Sequence, residues 1–257
     1  MKVLITGASS GLGRDMARIL SDKGYDIIAV ARREDKLLEL KAELKTNVEI
    51  VVCDLSTEEG ARSLFRYAKE TDILINNAGF GVFGEFVKTD LDSEMKMLDT
   101  NVRALHILTK IFLKEFKEKN SGYILNVASL AAFFPGPLFG AYYATKAYVL
   151  RLSQSIAEEL RKEKSNVKIS VLCPGPVHTG FEKASGVSFG NGSEKARGMI
   201  LESRPVAEYA IKKMFAGKEV IVPGFLMKVG VFSRHILSDK MLAKALYFIQ
   251  SKKMKQG

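Results

Sequence analysis

Val3-Leu4-Ile5-Thr6-Gly7-Ala8-Ser9-Ser10-Gly11-Leu12-Gly13 carries the reading that decides the fold. A short apolar run ends in a turn with glycines at 7, 11 and 13, and an amphipathic stretch, residues 12–23, follows at once. Strand, glycine turn and helix start in that order bring backbone N–H groups and the positive end of a helix dipole together, an arrangement suited to a pyrophosphate. A glycine trio by itself is weak, and here it is one residue wider than the usual dinucleotide fingerprint. Its context strengthens it, since the unit beginning here reaches a second strand end near Ala31.

The same alternation continues along the chain. Residues 3–6, 26–31, 48–53, 73–76, 123–128, 168–173 and 219–222 read as strands, and residues 12–23, 34–45, 58–69, 92–117, 142–162 and 205–216 as helices. Nearly continuous apolar strands between amphipathic helices predict a doubly wound, seven-stranded, mostly parallel sheet with helices on both faces. Right-handed crossovers then place the strand C-termini, and a ligand, along one edge.

Composition sets a matching frame: 257 residues, 47% apolar and 26% charged, which suits one α/β domain spanning 1–257, with a core at 1–223 and a basic C-terminal extension at 224–257. The start runs straight into a strand without a secretory signal pattern, so a cytoplasmic protein is expected. Cys53 and Cys173 each end an apolar run and read as two buried thiols, not a disulfide framework. His106, His178 and His235 lack ligand spacing, so no metal is expected, although His178 could line a substrate mouth. Of the net charge of +10, residues 224–257 supply +6, from seven basic residues against Asp239. That concentration argues against a nucleic-acid surface, because the aromatics of this segment sit in an apolar stripe, not on a stacking platform.

Two constellations carry chemistry. Tyr142 and Lys146 are four residues apart on a predicted helix and so share a face, which would let the ammonium favour the ionised phenol and draw its pKa towards neutral. Such a phenol can pass a proton to or from an alcohol oxygen. Tyr143 is three residues from Lys146 and is the competing phenol. The second constellation is Arg32 and Arg33, at the place where an acid would normally accept bonds from a ribose 2′-hydroxyl. Two guanidinium groups suit a 2′-phosphate and favour NADP(H). Pairing of the arginines with Glu34 and Asp35 is the plainer explanation, and those acids could touch a ribose, which keeps NAD(H) open.

Over residues 1–223 the chain resembles the short-chain dehydrogenases/reductases, in their short single-domain branch. Thr6-Gly7-x-x-x-Gly11-x-Gly13 looks like the family's cofactor turn, with Ser9, Ser10 and Leu12 inside it. Asp54-Leu55 resembles its adenine-contacting pair, and Asn76-Asn77-Ala78-Gly79 its signature after the fourth strand. Asn101, Ser129, Tyr142 and Lys146 fall in the order of its catalytic tetrad. Pro174-Gly175-Pro176-Val177-x-Thr179 resembles the segment that meets the nicotinamide carboxamide.

The resemblance implies a Rossmann-type fold and hydride exchange between nicotinamide and a carbonyl or carbinol carbon. It implies Tyr142 as proton donor and acceptor, Lys146 as a group that lowers the Tyr142 pKa and holds the ribose, Ser129 as a bond to the substrate oxygen, and Asn101 as the holder of a relay water. It also implies a homodimer or homotetramer built on the helices at 92–117 and 142–162. Ala128 and Ala132 depart from the commonest pattern around the serine, which touches loop shape and substrate more than chemistry. Phe80-Gly81-Val82-Phe83-Gly84 looks like a subgroup related in pattern to keto-lipid and steroid enzymes.

Phe80, Phe83, Phe86, Phe133, Phe134, Phe139, Phe181 and Phe189 fall in loops after the strand ends. They point to an apolar ketone, aldehyde or secondary alcohol as substrate, about half of the rings being expected to pack loop against core instead. Residues 185–192 read as a mobile lid, with Arg197 and Arg204 beyond it as candidates to meet an acidic group. The extension at 224–257 reads as basic amphipathic helices, which could pack on the body of the protein, cover the substrate pocket, build an interface with a second subunit, or lie peripherally on an anionic membrane. A non-catalytic dinucleotide sensor or scaffold is the alternative from another class, and the Tyr–Lys pair beside a serine argues against it.

Overall fold

In the computed structural model the structure describes residues 1–68, 70–181, 185 and 200–254. Seven strands form one sheet in the order β3-β2-β1-β4-β5-β6-β9, every neighbouring pair parallel. They are β1 (Lys2–Thr6), β2 (Asp26–Ala31), β3 (Val48–Val52), β4 (Ile73–Asn76), β5 (Tyr123–Val127), β6 (Lys168–Leu172) and β9 (Val220–Ile221). All seven were expected from the apolar runs. A separate parallel pair, β7 (Val177–His178) with β8 (Leu201–Glu202), was not, because two-residue strands leave no periodicity to read.

Side chains alternate across each strand, and the two resulting cores show which helices cover which face. Val3, Ile5, Ile27 and Ala29 meet Met16 and Leu20 of α1 (Gly11–Asp22), Leu37 and Leu40 of α2 (Glu34–Glu43), and Val206, Ile211 and Met214 of α7 (Ser203–Phe215). On the other face Leu4, Ile28 and Val30 meet Leu64 of α3 (Glu58–Tyr67), Leu108, Phe112 and Phe116 of α5 (Leu105–Glu118), and Leu160 of α6 (Gly140–Lys162). Phe112 and Phe116 are fully buried, each worth roughly 1.5–3 kcal/mol of transfer from water. Thr57 and Asp90 start their helices by accepting side-chain bonds from the N–H groups of Gly60 and Ser93.

The expected helix at 92–117 is interrupted. α4 (Leu91–Leu98) passes through a π-helical turn at Asp99–Ala104 into α5, and the wider turn carries Asn101. At the end of the chain, α8 (Phe225–Ser233) and α9 (Asp239–Met254) form the expected helical extension. Cys173 is buried as expected, whereas Cys53 is only half-buried at the mouth of the sheet, its Sγ 3.3 Å from the Gly60 carbonyl.

The sheet order reverses between β1 and β4, so the crossovers on either side of that line run in opposite directions and leave a crevice at the strand C-termini. A buried polar network ties β4, β5, α5 and α6 together just behind it. Asn76 Nδ2 donates to Thr109 Oγ1 and Asn126 Oδ1, and Asn126 Nδ2 donates to Ser153 Oγ. Periodicity gave no warning of this network, since an asparagine in an apolar strand finds its partner only across the assembled sheet.

Candidate active site

The glycine turn leaves the C-terminal end of β1, beside the line where the strand order reverses. Gly7 and Gly11 have φ of 68° and 54°, left-handed backbone that glycine adopts without strain. Gly13 is forced by space: a Cβ there would stand 2.5 Å from both the Gly7 carbonyl oxygen and Asn77 Nδ2. Asn77 locks the turn to β1, its Nδ2 donating to the carbonyls of Thr6 at 3.0 Å and Gly7 at 3.2 Å. Thr6 Oγ1 in turn accepts from the N–H groups of Asn77 and Ala78. The turn feeds α1, whose N-cap Ser10 makes no side-chain cap bond and whose first turn holds no acid, so its N–H groups and dipole face the crevice.

Arg32 and Arg33 are exposed at the end of β2. The expected alternative, ion pairing with Glu34 or Asp35, is not what the structure shows. Arg33 Nη2 donates to Ser9 Oγ at 3.0 Å, and Asp35 lies beside Lys36. Arg32 acts on Asp54, whose carboxyl is held below its ordinary value chiefly by the Ser56 N–H it accepts, with Arg32 and Lys96 adding to the effect. Asp54 and Leu55 border the same cavity as the arginines.

On the far side, Tyr142 and Lys146 leave α6 on the same face, both almost fully buried. Tyr142 stacks on Phe139 with ring centres 4.5 Å apart and also meets Phe181. Ser129, which sits at the end of β5 and caps the short 3-10 turn Leu130–Phe133 through the Ala131 N–H, lies beside the Tyr142 phenol and pulls its pKa down. Tyr143 lines the same cavity, with its hydroxyl accepting from Gln250 Nε2 at 2.9 Å. Asn101 brackets Phe80, with Oδ1 accepting from the Phe80 N–H and Nδ2 donating to its carbonyl and to Thr145 Oγ1. It stands close behind Gly79, where a Cβ would approach Asn101 Oδ1 to 2.8 Å and Lys146 Nζ to 3.4 Å.

The electrostatics correct one expectation. Burial holds the Tyr142 phenol above its ordinary value, with the neighbouring Ser129 pulling the other way. Lys146 does not lower it in this structure, because Lys146 Nζ donates to the Val127 carbonyl at 3.0 Å and stands 5.7 Å from the phenol ring centre. Proximity at i, i+4 is present, but desolvation dominates. Burial likewise lowers Lys146 to about 8, and it pushes the neighbouring Cys173 thiol up to about 12.

Between about 8 and the ordinary 10.5 the unfolded chain therefore binds more protons at Lys146 than the folded one, so its contribution to stability rises with pH through that window. Below it, the folded state carries the full penalty of the buried charge. Lys146→Met is expected to raise the melting temperature relative to the parent most at neutral pH, the excess shrinking as pH rises towards 10.5. Calorimetry of both proteins over that range checks the sign, and a constant difference would contradict it.

A single cavity of about 760 Å³ runs from the glycine turn to α9. It is lined by Gly7, Ser9, Ser10, Gly11, Leu12, Arg32, Arg33, Asp54, Leu55, Asn77, Ala78 and Gly79 at one end. Ser129, Tyr142, Lys146, Pro174, Gly175, Val177 and Thr179 line it further along. Gly13 and Asn101 stand behind the wall instead of in it, the first under the turn and the second behind Phe80. Of the expected aromatic wall, Phe80, Phe83, Phe134, Phe139 and Phe181 line the cavity. Phe86 is exposed, Phe133 lies under Arg234, and Phe189 lies outside the described residues, as do Arg197 and all of 185–192 except Ser185. His178 is exposed on β7 and does not border the cavity.

The last wall is formed by Leu246, Ile249 and Gln250 of α9, so the extension covers one end of the cavity, one of the placements its apolar face left open, and only Gln250 carried no signal in the sequence. Gln250 is 5% exposed, and its Oε1 has no hydrogen-bond partner among the described residues.

A parallel sheet with a glycine-bordered helix N-terminus at its switch point, and a Tyr–Lys–Ser group at the other end of one cavity, fits the architecture of a nicotinamide-dinucleotide oxidoreductase. The short chain dehydrogenase family matches residues 1–187, and the chain belongs to that family. It is therefore an oxidoreductase acting on the CH–OH group of donors. It is 34% identical over 201 residues to the NADP-dependent 3-hydroxy acid dehydrogenase YdfG of Salmonella typhi, covering 76% of this chain and 79% of that one. A solved short-chain dehydrogenase from Sphingobium yanoikuyae in complex with NADPH superposes with a TM-score of 0.79 at 27% identity, over 93% of this chain and 95% of that one. One from Burkholderia phymatum in complex with NAD shares the fold, with a TM-score of 0.81 at 24% identity over 91% and 92% of the two chains.

Proposed function

We propose that the protein is an NADP(H)-dependent oxidoreductase of apolar ketones, aldehydes or secondary alcohols, with Asn101, Ser129, Tyr142 and Lys146 as its working residues. The observation that carries this reading is the single cavity that joins the glycine turn and Arg32–Arg33 at one end to the Ser129–Tyr142–Lys146 group under aromatic rings at the other. The residues fit a dinucleotide: the N–H groups at the start of α1 lack a side-chain cap, the glycines leave room for close approach, and two guanidinium groups stand where a 2′-phosphate would lie. The bound nicotinamide supplies hydride chemistry.

The chain's own residues supply the rest. Tyr142 holds its proton at neutral pH and stands ready to donate it to a developing alkoxide, and in the reverse direction it accepts one. Ser129, beside the same phenol, offers its hydroxyl to the substrate oxygen and stabilises the charge growing there. Lys146, turned from Val127 towards a ribose, brings a positive charge beside Tyr142 and stabilises the phenolate as it forms. Asn101 keeps the Phe80 segment and α6 in register, and is placed behind Gly79 and Lys146 to hold a water that returns the proton. The aromatic wall excludes water and selects an apolar body. A cofactor sensor would have no use for a buried phenol beside a serine and a lysine.

The orphan Oε1 of Gln250 adds a feature to the substrate. A buried acceptor without a donor is unfavourable by about 1–3 kcal/mol, and a substrate hydroxyl or N–H remote from the carbonyl would satisfy it. Gln250→Met is expected to raise KM about tenfold for a keto substrate bearing such a hydroxyl, leave kcat within about twofold, and leave a plain apolar ketone unaffected. Equal changes for both substrates would remove Gln250 from recognition. The reading as a whole is tested by following loss of NADPH absorbance over a panel of apolar ketones, aldehydes and hydroxysteroids. Turnover on one carbonyl class is expected, and absence of binding to either dinucleotide would sink it.

A further inference from the structure

We propose that α8 and α9 dock the protein on an anionic lipid surface, an inference that does not depend on the reaction catalysed. Helices ordinarily bury most of their apolar side chains in protein, and these two leave many of theirs exposed. In α8, Phe225, Val229 and Phe232 recur at i, i+4 and i+7 and are 78%, 50% and 62% exposed. In α9, Met241 and Phe248, seven residues apart, are 56% and 62% exposed, and Ile236 in the connecting turn is 72% exposed. The helices are held to the body by a few contacts: Met227 against Gly175, Arg234 over Phe133, and Leu242 and Gln250 buried beneath α9.

Charge decides between the occupants such a face could take. Lys228, Lys240, Lys244 and Lys252 are exposed among these apolar residues, and among the described residues none has a carboxylate partner within ion-pair distance. Residues 224–257 carry seven basic side chains and a single acid, Asp239. A second copy meeting this face through a two-fold axis would bring like charges together, because such a contact uses the same patch on both sides. Apolar side chains set among lysines that have no carboxylate partner among the described residues, Lys228 lying over Tyr209 and Lys252 over Phe248, instead match the boundary between acyl chains and anionic headgroups. No helix among the described residues is long and apolar enough to span a bilayer, so the helices would lie along it. Ile249 is 52% exposed and also lines the cavity, which would open the substrate end beside the membrane.

The test is flotation of the whole protein with vesicles of phosphatidylcholine alone and of phosphatidylcholine mixed with phosphatidylglycerol, at low and high salt. Binding at least tenfold stronger to the anionic vesicles is expected, falling with salt, since each lysine near such a surface contributes a factor of roughly five. Phe225→Ser with Phe232→Ser, and separately Lys240→Gln with Lys244→Gln, should each weaken flotation severalfold while melting temperature and NADPH affinity stay unchanged. Equal partition to both vesicle types, no flotation, or flotation that neither variant weakens would overturn the proposal. So would self-association that depends on Phe225 and Phe232 without lipid binding.

Discussion

Tyr142→Phe is expected to lower turnover by roughly a hundredfold to ten-thousandfold, the range that a positioned proton donor contributes. The substitution removes only the hydroxyl. Phe would keep the stack on Phe139 and the contact with Phe181, so packing should be preserved. The neighbouring Ser129 would still accept from the Ala131 N–H. NADPH affinity should therefore change less than about threefold, and the effect should appear in kcat and kcat/KM together, as for a group that works mainly in the transition state. Titration of the variant with NADPH beside a steady-state assay separates the two quantities. Retained turnover would move the proton transfer to another group, with Tyr143 the nearest phenol, although its hydroxyl is engaged by Gln250.

Arg32→Ala combined with Arg33→Ala is expected to weaken NADPH roughly tenfold to a hundredfold, since a hydrogen bond to a charged group is worth about 1.5–3 kcal/mol. NADH, which lacks the 2′-phosphate, should change less than about threefold. The structure supports the asymmetry because among the described residues neither guanidinium forms an ion pair at contact distance, Arg32 acting on Asp54 only through its charge and Arg33 donating to the hydroxyls of Ser9 and Ser10. Fluorescence titration of parent and variant with both dinucleotides measures it. Equal losses would mean that the arginines act on turn geometry and that the 2′-phosphate is read elsewhere.

Much of this site was legible in the sequence because doubly wound sheets place chemistry at predictable chain positions, namely strand ends and the turns after them. The glycines, Asp54-Leu55, Asn77 to Gly79, Ser129 and the Pro174 segment all follow apolar runs, and all belong to strand ends in the structure. What escaped depends on contacts between distant segments. The π-helical turn that places Asn101 has the same apolar spacing as the helix around it, so no period marks it. The pKa of Tyr142 was misread because i, i+4 spacing reports proximity and is blind to desolvation and to the Val127 carbonyl that engages Lys146. Periodicity showed that residues 225–254 are helical. It did not show that Gln250 would reach Tyr143, or that the apolar stripes would stay uncovered.

The most direct test of the central claim is transfer of label from NADPH deuterated at nicotinamide C4 to a carbonyl substrate, read by mass spectrometry of the alcohol. Parent enzyme should place one deuterium on the carbinol carbon, and Tyr142→Phe should bind the labelled cofactor yet deliver almost none. Parent protein that binds NADPH but labels no alcohol from any carbonyl class would contradict the account.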